Sequence, residues 1–373
     1  MAESEEDFDD AEEGGGEAEV AIPAPREQAS LLGHEAAEAT LLQAFRQNRL
    51  PQGLLITGPH GVGKATLAYR FARFLLAQAA EQGRSALFAP TPPTSLVIAP
   101  EQPVFRRVAS SGHADLLTIE RGIDPKRKRA RSEIVVEDVR TVGAFLRLTP
   151  AEGGWRIVII DTADEMNRNA ANALLKILEE PPARALLILV SDNPGRLLPT
   201  IRSRCRRLPL RPLSSAAVGE LVAHYRADLS ARDREVLVAL SEGSIGRALE
   251  LAEEGGVALH RALLELLAAL PDLDGVALHG FADKVARWGN DDGYRVFTEL
   301  MPATLARAIA AAAAGGRAAS EVPLAKVLAR RGLDRWVEVW DKITHLFAQA
   351  DAINLDRKQV VLNAFFALEE AAR

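Results

Sequence analysis

The 373-residue sequence contains a single cysteine, Cys205, and only 5% aromatic residues. One cysteine excludes an internal disulfide bond and a four-cysteine zinc site. The sequence also lacks an uninterrupted run of about 18 apolar residues, so we expect no transmembrane span and no membrane partner. Its first residues are acidic rather than basic and then apolar, which argues against a secretory signal and favours the cytoplasm.

The negative net charge of −6 comes from one segment. Residues 1–20 carry ten acidic side chains and no Lys or Arg, and the remainder has 45 basic against 41 acidic residues. We expect residues 1–25 to form a disordered acidic tail, because they cannot bury enough apolar surface to fold. An acidic peptide that binds a partner is the alternative. The mildly basic remainder permits contact with nucleic acid without requiring it.

Strand and helix patterns alternate up to residue 213. Apolar strands are predicted at 54–57, 156–161 and 185–191, and helices at 35–49, after 64, at 137–148 and at 169–179. This alternation predicts a parallel sheet covered by helices on both faces. Five prolines suggest that residues 83–131 are an irregular connection, with a candidate strand at 116–119.

From Ser214, a predicted helix N-cap, the pattern is helical to the end, with a break near Pro271–Gly275. The predicted division of the chain is therefore a tail at 1–25, an α/β core at 26–211, a small helical domain at 212–272 and a final helical domain at 273–373.

The stretch GPHGVGKAT, residues 58–66, lies between a predicted strand and a predicted helix, which is the context of a phosphate-binding loop. The residues that fit this loop are Gly58, Gly61, Gly63 and Lys64. Backbone amides and the lysine would hold phosphates there. The next position should offer a hydroxyl to Mg²⁺, but it is Ala65. Thr66 comes one residue too late, about 100° further round the helix, and its recruitment is the alternative.

The second half of an ATP site is also incomplete. An apolar strand ends in Asp161, which fits a Mg²⁺ ligand, but the following Thr162 is too weak a base to activate water. Asp164 and Glu165 lie nearby, and a helix start is their expected place. We expect the loop to be able to hold ATP or ADP, with Asp161 beside it, and not to hydrolyse it.

Two basic segments follow different patterns. Arg204, within the SRC sequence at 203–205, can project from the surface and stabilise charge on a phosphate in a neighbouring subunit. With Arg206 and Arg207 next to it, a surface basic cluster is the alternative. The run KRKRAR at Lys126–Arg131 is either an exposed loop or a patch that contacts DNA phosphates.

Several motifs together resemble the clamp-loader branch of AAA+ proteins. They are QGLLITGP at 52–59, IVIID at 157–161, NAANALLKILEEPP at 169–182, TIRSRC at 200–205 and GSIGRAL at 243–249. The resemblance covers residues 28–254. It implies an α/β AAA+ P-loop domain with a parallel sheet covered by helices, then a small helical lid, then an all-α C-terminal collar that forms oligomers.

The resemblance also implies roles for particular residues. Arg204 would be an arginine finger that reaches the ATP site of an adjacent gamma/tau subunit. Arg247 would be the lid arginine that senses nucleotide, and Ser191 or Asp192 occupies the sensor position at a strand end. Many relatives carry a four-cysteine zinc module after the phosphate loop, but this sequence has no cysteine there, so no zinc is expected.

By the same resemblance, the partners would be gamma/tau and delta subunits in a hetero-pentameric ring, together with the sliding clamp and primer–template DNA. Three hypotheses remain for the chain itself. It is a catalytically silent stator that donates Arg204, an active ATPase rescued by Thr66 and Asp164, or a stand-alone DNA-binding protein. Ala65 and Thr162 favour the first. We find no polymerase active site in the sequence, so any polymerase activity would belong to the holoenzyme.

Overall fold

The computed structural model describes residues 22–82, 92–122, 131–152, 154–287, 292–314, 328 and 332–373. Residues 1–21 of the predicted tail and residues 126–130 of the basic run lie outside the described residues. The chain divides into two compact units. The first comprises Met1–Arg234 with Gly243–Ile245, and the second comprises Glu235–Glu242 with Gly246–Arg373. The domain boundaries at 211 and 272 stay a prediction.

The first unit contains a five-stranded parallel sheet, as the alternating pattern predicts. Its strands are β1 Gly53–Thr57, β2 Leu116–Ile119, β3 Arg156–Ile160, β4 Ala185–Ser191 and β5 Arg206–Pro209. Their spatial order is β2-β3-β4-β1-β5. Because β1 and β4 pair in register from Gly53↔Leu187 to Thr57↔Ser191, the residues that follow these two strands emerge side by side.

Helices connect the strands of this unit. They are α1 Glu35–Arg46, α2 Lys64–Gln82, α3 Pro103–Ala109, α4 Val136–Leu146, α5 Arg168–Glu179, α6 Pro199–Arg204 and α7 Ser215–Tyr225, and Ala163–Glu165 form a 3₁₀ turn. The buried side chains form two clusters, one on each face of the sheet. One cluster contains Leu54 and Ile56 with side chains of α1, α2 and α3, and the other contains Leu55 with side chains of α4, α5 and α6. The predicted parallel sheet with helices on both faces is confirmed.

Most predicted boundaries agree with the structure within three residues, but the proline-rich connection does not. Pro103 begins helix α3 instead of marking irregular chain, because proline at the first helical position gives up no hydrogen bond. The short helix α6 and edge strand β5 were not predicted. Arg206 and Arg207, which the alternative interpretation assigns to a surface basic cluster, are exposed residues of β5. Ser214 is an N-cap as predicted, since its Oγ accepts from the Ala217 amide at 3.2 Å.

The remaining described helices are α8 Ala231–Ser241, α9 Ile245–Glu253, α10 Gly256–Ala268, α11 Gly275–Arg287, α12 Asp292–Ala313, α13 Leu333–Ile353 and α14 Arg357–Ala372. The predicted break at Pro271–Gly275 separates α10 from α11. In the second unit Phe281, Phe297 and Phe365 form an aromatic cluster with ring centroids 5.7–6.3 Å apart. The all-α C-terminal part is therefore confirmed.

One helical segment of the described chain, Gly293–Ala313, is long and apolar enough to cross a membrane by length and composition alone. Its Phe297, Leu300 and Leu305 side chains are buried in the second unit, with Phe297 in the aromatic cluster. This pattern is typical of the core helix of a helical domain.

Candidate functional site

The phosphate loop, residues 58–64, connects β1 to α2 at the carboxyl end of the sheet. Gly61 and Gly63 have φ angles of +70° and +100°, in the region that favours glycine. A Cβ on Gly58 would lie 2.7 Å from the carbonyl oxygen of Leu210, so only glycine fits there. These constraints explain why the loop has glycine at these three positions.

The Lys64 ammonium already has partners within the chain. Its side chain is only 4% exposed, and Nζ lies 2.6 Å from Asp192 Oδ1. Nζ also donates to the carbonyl oxygen of Pro59 within the phosphate loop. A carboxylate of the chain therefore lies where the loop lysine would otherwise meet an outer phosphate of a nucleotide. Asp192 follows β4, at the sensor position that the resemblance predicts.

Asp161, a second carboxylate at this end of the sheet, is hydrogen-bonded to the backbone of its own chain. Burial raises the pKa of the Asp161 carboxyl, and the negative charges of Glu120 and Asp192 raise it further. The hydrogen bond from the Thr162 amide and the positive charge of Lys64 lower this pKa. Asp161 Oδ1 accepts from the Thr162 amide at 2.9 Å. Thr162 has a φ of +51° and its hydroxyl donates to the Asp161 carbonyl oxygen. The structure thus brings the Asp161 carboxyl near Lys64 and Asp192.

Asp164, the carboxylate that an active ATPase would need, is engaged elsewhere. It lies in the 3₁₀ turn, and its two oxygens accept from the amides of Asp192 at 3.3 Å and Asn193 at 3.1 Å. It therefore fixes the loop after β4. Thr66 lies in the first turn of α2 and is half-buried.

We predict that Asp192→Asn tightens ADP binding to the purified chain about tenfold, which corresponds to about 1.4 kcal/mol. The substitution removes the charge that competes with phosphate for Lys64 but keeps an oxygen that can accept from it. Titration calorimetry measures the dissociation constant. Asp228→Asn, at an exposed carboxylate paired with Arg226, is the matched control. Unchanged ADP affinity in Asp192→Asn would show that Asp192 does not occupy the phosphate position.

Arg204, the last residue of α6, lies at the opposite end of the sheet, where the strands begin. A Cβ built on Gly53, the first residue of β1, would lie 3.3 Å from the Arg204 carbonyl oxygen. The Arg204 side chain is 37% exposed, and its NH2 group pairs with Glu179 Oε1 at 2.8 Å. Its NH1 group donates to the Thr200 carbonyl oxygen at 3.1 Å. The structure therefore separates Arg204 from the phosphate loop of its own chain.

Cys205, the residue after Arg204, packs beside the first residue of β1. Its side chain is buried, and a Cβ built on Gly53 would lie 3.0 Å from its Sγ. Burial raises the pKa of the Cys205 thiol to about 11, so the thiol stays protonated and packs as an apolar group.

The two remaining predicted site residues, Ser191 and Arg247, lie in different elements. Ser191 is fully buried at the end of β4, and its Oγ has no hydrogen-bond partner among the described residues. Arg247 lies in α9 in the second unit and approaches Glu242 at 3.7 Å. Glu179, which pairs with Arg204, is not singled out by the sequence patterns, although it belongs to the LEEPP segment of the resemblance.

A glycine-rich phosphate loop at the carboxyl end of a parallel sheet, with the exposed arginine of an SRC sequence at the amino end, fits one class: a P-loop AAA+ module of the clamp-loader type. Residues 33–214 match the family model described as DNA polymerase III, delta subunit. The match covers just under half of the chain, and it confirms the resemblance predicted from the motifs.

Curated relatives agree with this assignment. The chain is similar to DNA polymerase III subunit delta' of Pseudomonas aeruginosa, with 36% identity over 54% of this chain and 56% of the relative. It is 29% identical to subunit delta' of Bacillus subtilis, over 65% of this chain and 67% of that protein. It is 28% identical to subunit tau/gamma of Haemophilus influenzae, over 62% of this chain and 31% of that protein. The matched region thus spans about half of the first relative and about a third of the last.

Proposed function

We propose that this chain is a clamp-loader subunit of DNA polymerase III of the delta' type. In this proposal it does not hydrolyse ATP itself but completes the ATP site of a neighbouring gamma/tau subunit through Arg204. The similarity to delta' and tau/gamma proteins supports the clamp-loader assignment. The phosphate loop and Arg204 lie at opposite ends of strand β1, which supports a subunit that supplies an arginine to a neighbour without hydrolysing ATP itself.

The observation that carries the proposal is the separation of Arg204 from the phosphate loop. Arg204 lies beside the first residue of β1, and the loop follows its last residue. A five-residue strand extends about 13 Å at roughly 3.3 Å per residue. The Arg204 guanidinium is also held at its own edge by Glu179 and Thr200. An exposed arginine that cannot serve its own loop is suited to a site on another subunit.

The rest of the assembly follows from the resemblance. The proposed partners are gamma/tau and delta subunits in a hetero-pentameric ring, which loads the sliding clamp on primer–template DNA during replication in the cytoplasm. Nucleotide at this chain's own loop, ATP or ADP, would serve structure and not turnover. The proposed roles of Arg247 as a nucleotide sensor and of the loop glycines as phosphate ligands depend on that nucleotide.

The competing proposal is an active ATPase of the gamma/tau type, which the tau/gamma relatives keep open. It needs Thr66 and Asp164 to replace the missing groups. Ala65 offers no ligand to Mg²⁺, and both oxygens of Asp164 already accept backbone amides. The silent subunit is therefore the better supported of the two.

The assay that separates them measures ATP hydrolysis by the purified chain alone. We expect a rate at background, unchanged in Lys64→Ala, because no group in the site activates water. A robust rate that disappears in Lys64→Ala would overturn the proposal of a silent subunit and support the active ATPase.

A further inference from the structure

We propose that Glu179 is the positioning residue of the Arg204 finger: its carboxylate, with Oε1 2.8 Å from Arg204 NH2, holds the guanidinium in the orientation needed for a neighbour's phosphate. This inference rests on the proposed function and adds to it a residue that acts through Arg204. Glu179 ends α5, and Arg204 ends α6, so the contact joins two separate elements of the same sheet edge.

The backbone on both sides of this contact is fixed by packing. A Cβ built on Gly53 would lie 3.0 Å from a side-chain carbon of Leu178 and 3.0 Å from Cys205 Sγ. Leu178 precedes Glu179, and Cys205 follows Arg204, and both neighbours are buried. The C-terminal ends of α5 and α6 therefore pack on the same glycine, which sets the distance between the carboxylate and the guanidinium.

The contact leaves donors for a ligand. A guanidinium has five N–H donors. Among the described contacts, Glu179 Oε1 lies 2.8 Å from NH2, and the Thr200 carbonyl oxygen accepts from NH1 at 3.1 Å. The other donors can contact phosphate oxygens in the two-point geometry that arginine favours. Glu179 can thus orient the side chain without competing for all of it.

The value of the contact lies in orientation and not in stability. Glu179 is 44% exposed and Arg204 is 37% exposed. An exposed ion pair of this kind contributes roughly 0–1 kcal/mol to folding. By contrast, a misplacement of about 1 Å in a catalytic geometry can cost about 10²-fold in rate. Loss of Glu179 is therefore expected to affect the partner's reaction while the subunit stays folded.

The test compares Glu179→Ala, Glu179→Gln and Glu180→Ala in a ring reconstituted with gamma/tau and delta subunits. We expect Glu179→Ala to lower kcat for ATP hydrolysis about tenfold with KM for ATP unchanged, since nucleotide binds in the neighbour. Glu179→Gln keeps an oxygen that accepts from the guanidinium, so its kcat should stay within about threefold of the wild type. Glu180, the next residue and also exposed, should tolerate alanine without effect.

Two results would overturn the inference: a kcat in Glu179→Ala equal to or above the wild type, or a loss in Glu179→Gln as large as in Glu179→Ala. Arg204→Ala in the same assay distinguishes a failure of the proposed function from a failure of this inference alone. If Arg204→Ala has no effect, the proposed function fails; if it lowers kcat and Glu179→Ala does not, only this inference fails. The double variant should lose no more than Arg204→Ala alone, because Glu179 acts through that arginine.

Discussion

Arg204→Ala is expected to lower the ATPase rate of the reconstituted ring by a large factor, on the order of 10³ for the site it serves, while the subunit folds normally. The Arg204 side chain is 37% exposed, and its guanidinium pairs with Glu179 and donates to the Thr200 carbonyl oxygen. Its removal therefore leaves no buried charge. In the neighbour's site it would remove a planar cation that stabilises charge on the transferred phosphate. Steady-state ATP hydrolysis in the presence of clamp and primed DNA measures the effect.

Two variants control this experiment. Arg204→Lys keeps the charge but loses the two-point geometry, so most of the rate should still be lost. Arg206→Ala removes a nearby exposed arginine of β5 and should leave the rate unchanged. Equal rates for the wild type and Arg204→Ala would contradict the proposed role of the SRC arginine.

Asp115→Ala is expected to destabilise the first unit by about 3–5 kcal/mol. Asp115 precedes β2 and is only 1% exposed. Its carboxylate accepts from the amides of Ala151 at 2.8 Å and Glu152 at 3.1 Å, and it lies 3.5 Å from Arg156 NH2. Alanine would leave two amides without this acceptor and a buried guanidinium without its counter-charge. Urea unfolding followed by circular dichroism measures the free energy of unfolding.

Asp228→Ala is the matched control for Asp115→Ala. Asp228 pairs with Arg226 at 2.7 Å, but its side chain is exposed, so alanine there should cost less than about 1 kcal/mol. A loss below about 1 kcal/mol for Asp115→Ala would show that the Asp115 contacts do not fix the loop between α4 and β3.

The sequence predicts the parts of this protein whose chemistry is local. The phosphate loop, the long buried strands β3 and β4, and the Ser214 cap each depend on a few consecutive residues, and all are confirmed in the structure. The short elements α6 and β5 were missed because six and four residues do not show a clear hydrophobic period. Pro103 was misread because proline marks a helix start as well as a break.

The pairings within the candidate site were beyond the reach of sequence reasoning. Lys64 meets Asp192 because Thr57 of β1 pairs with Ser191 of β4, a register that no local pattern specifies. Arg204 meets Glu179 because α5 and α6 both return to the amino-terminal edge of the sheet. The sequence names both partners of the first pair as site residues, but only the topology brings them together.

In the proposed function, this chain's own loop is dispensable for turnover, whereas its arginine is required in a neighbour. A comparison of clamp-dependent ATP hydrolysis by rings that contain either Lys64→Ala or Arg204→Ala in this subunit tests both statements together. We expect a rate close to the wild type with Lys64→Ala and a large loss with Arg204→Ala. The opposite result, a large loss with Lys64→Ala and a normal rate with Arg204→Ala, would contradict the proposed function.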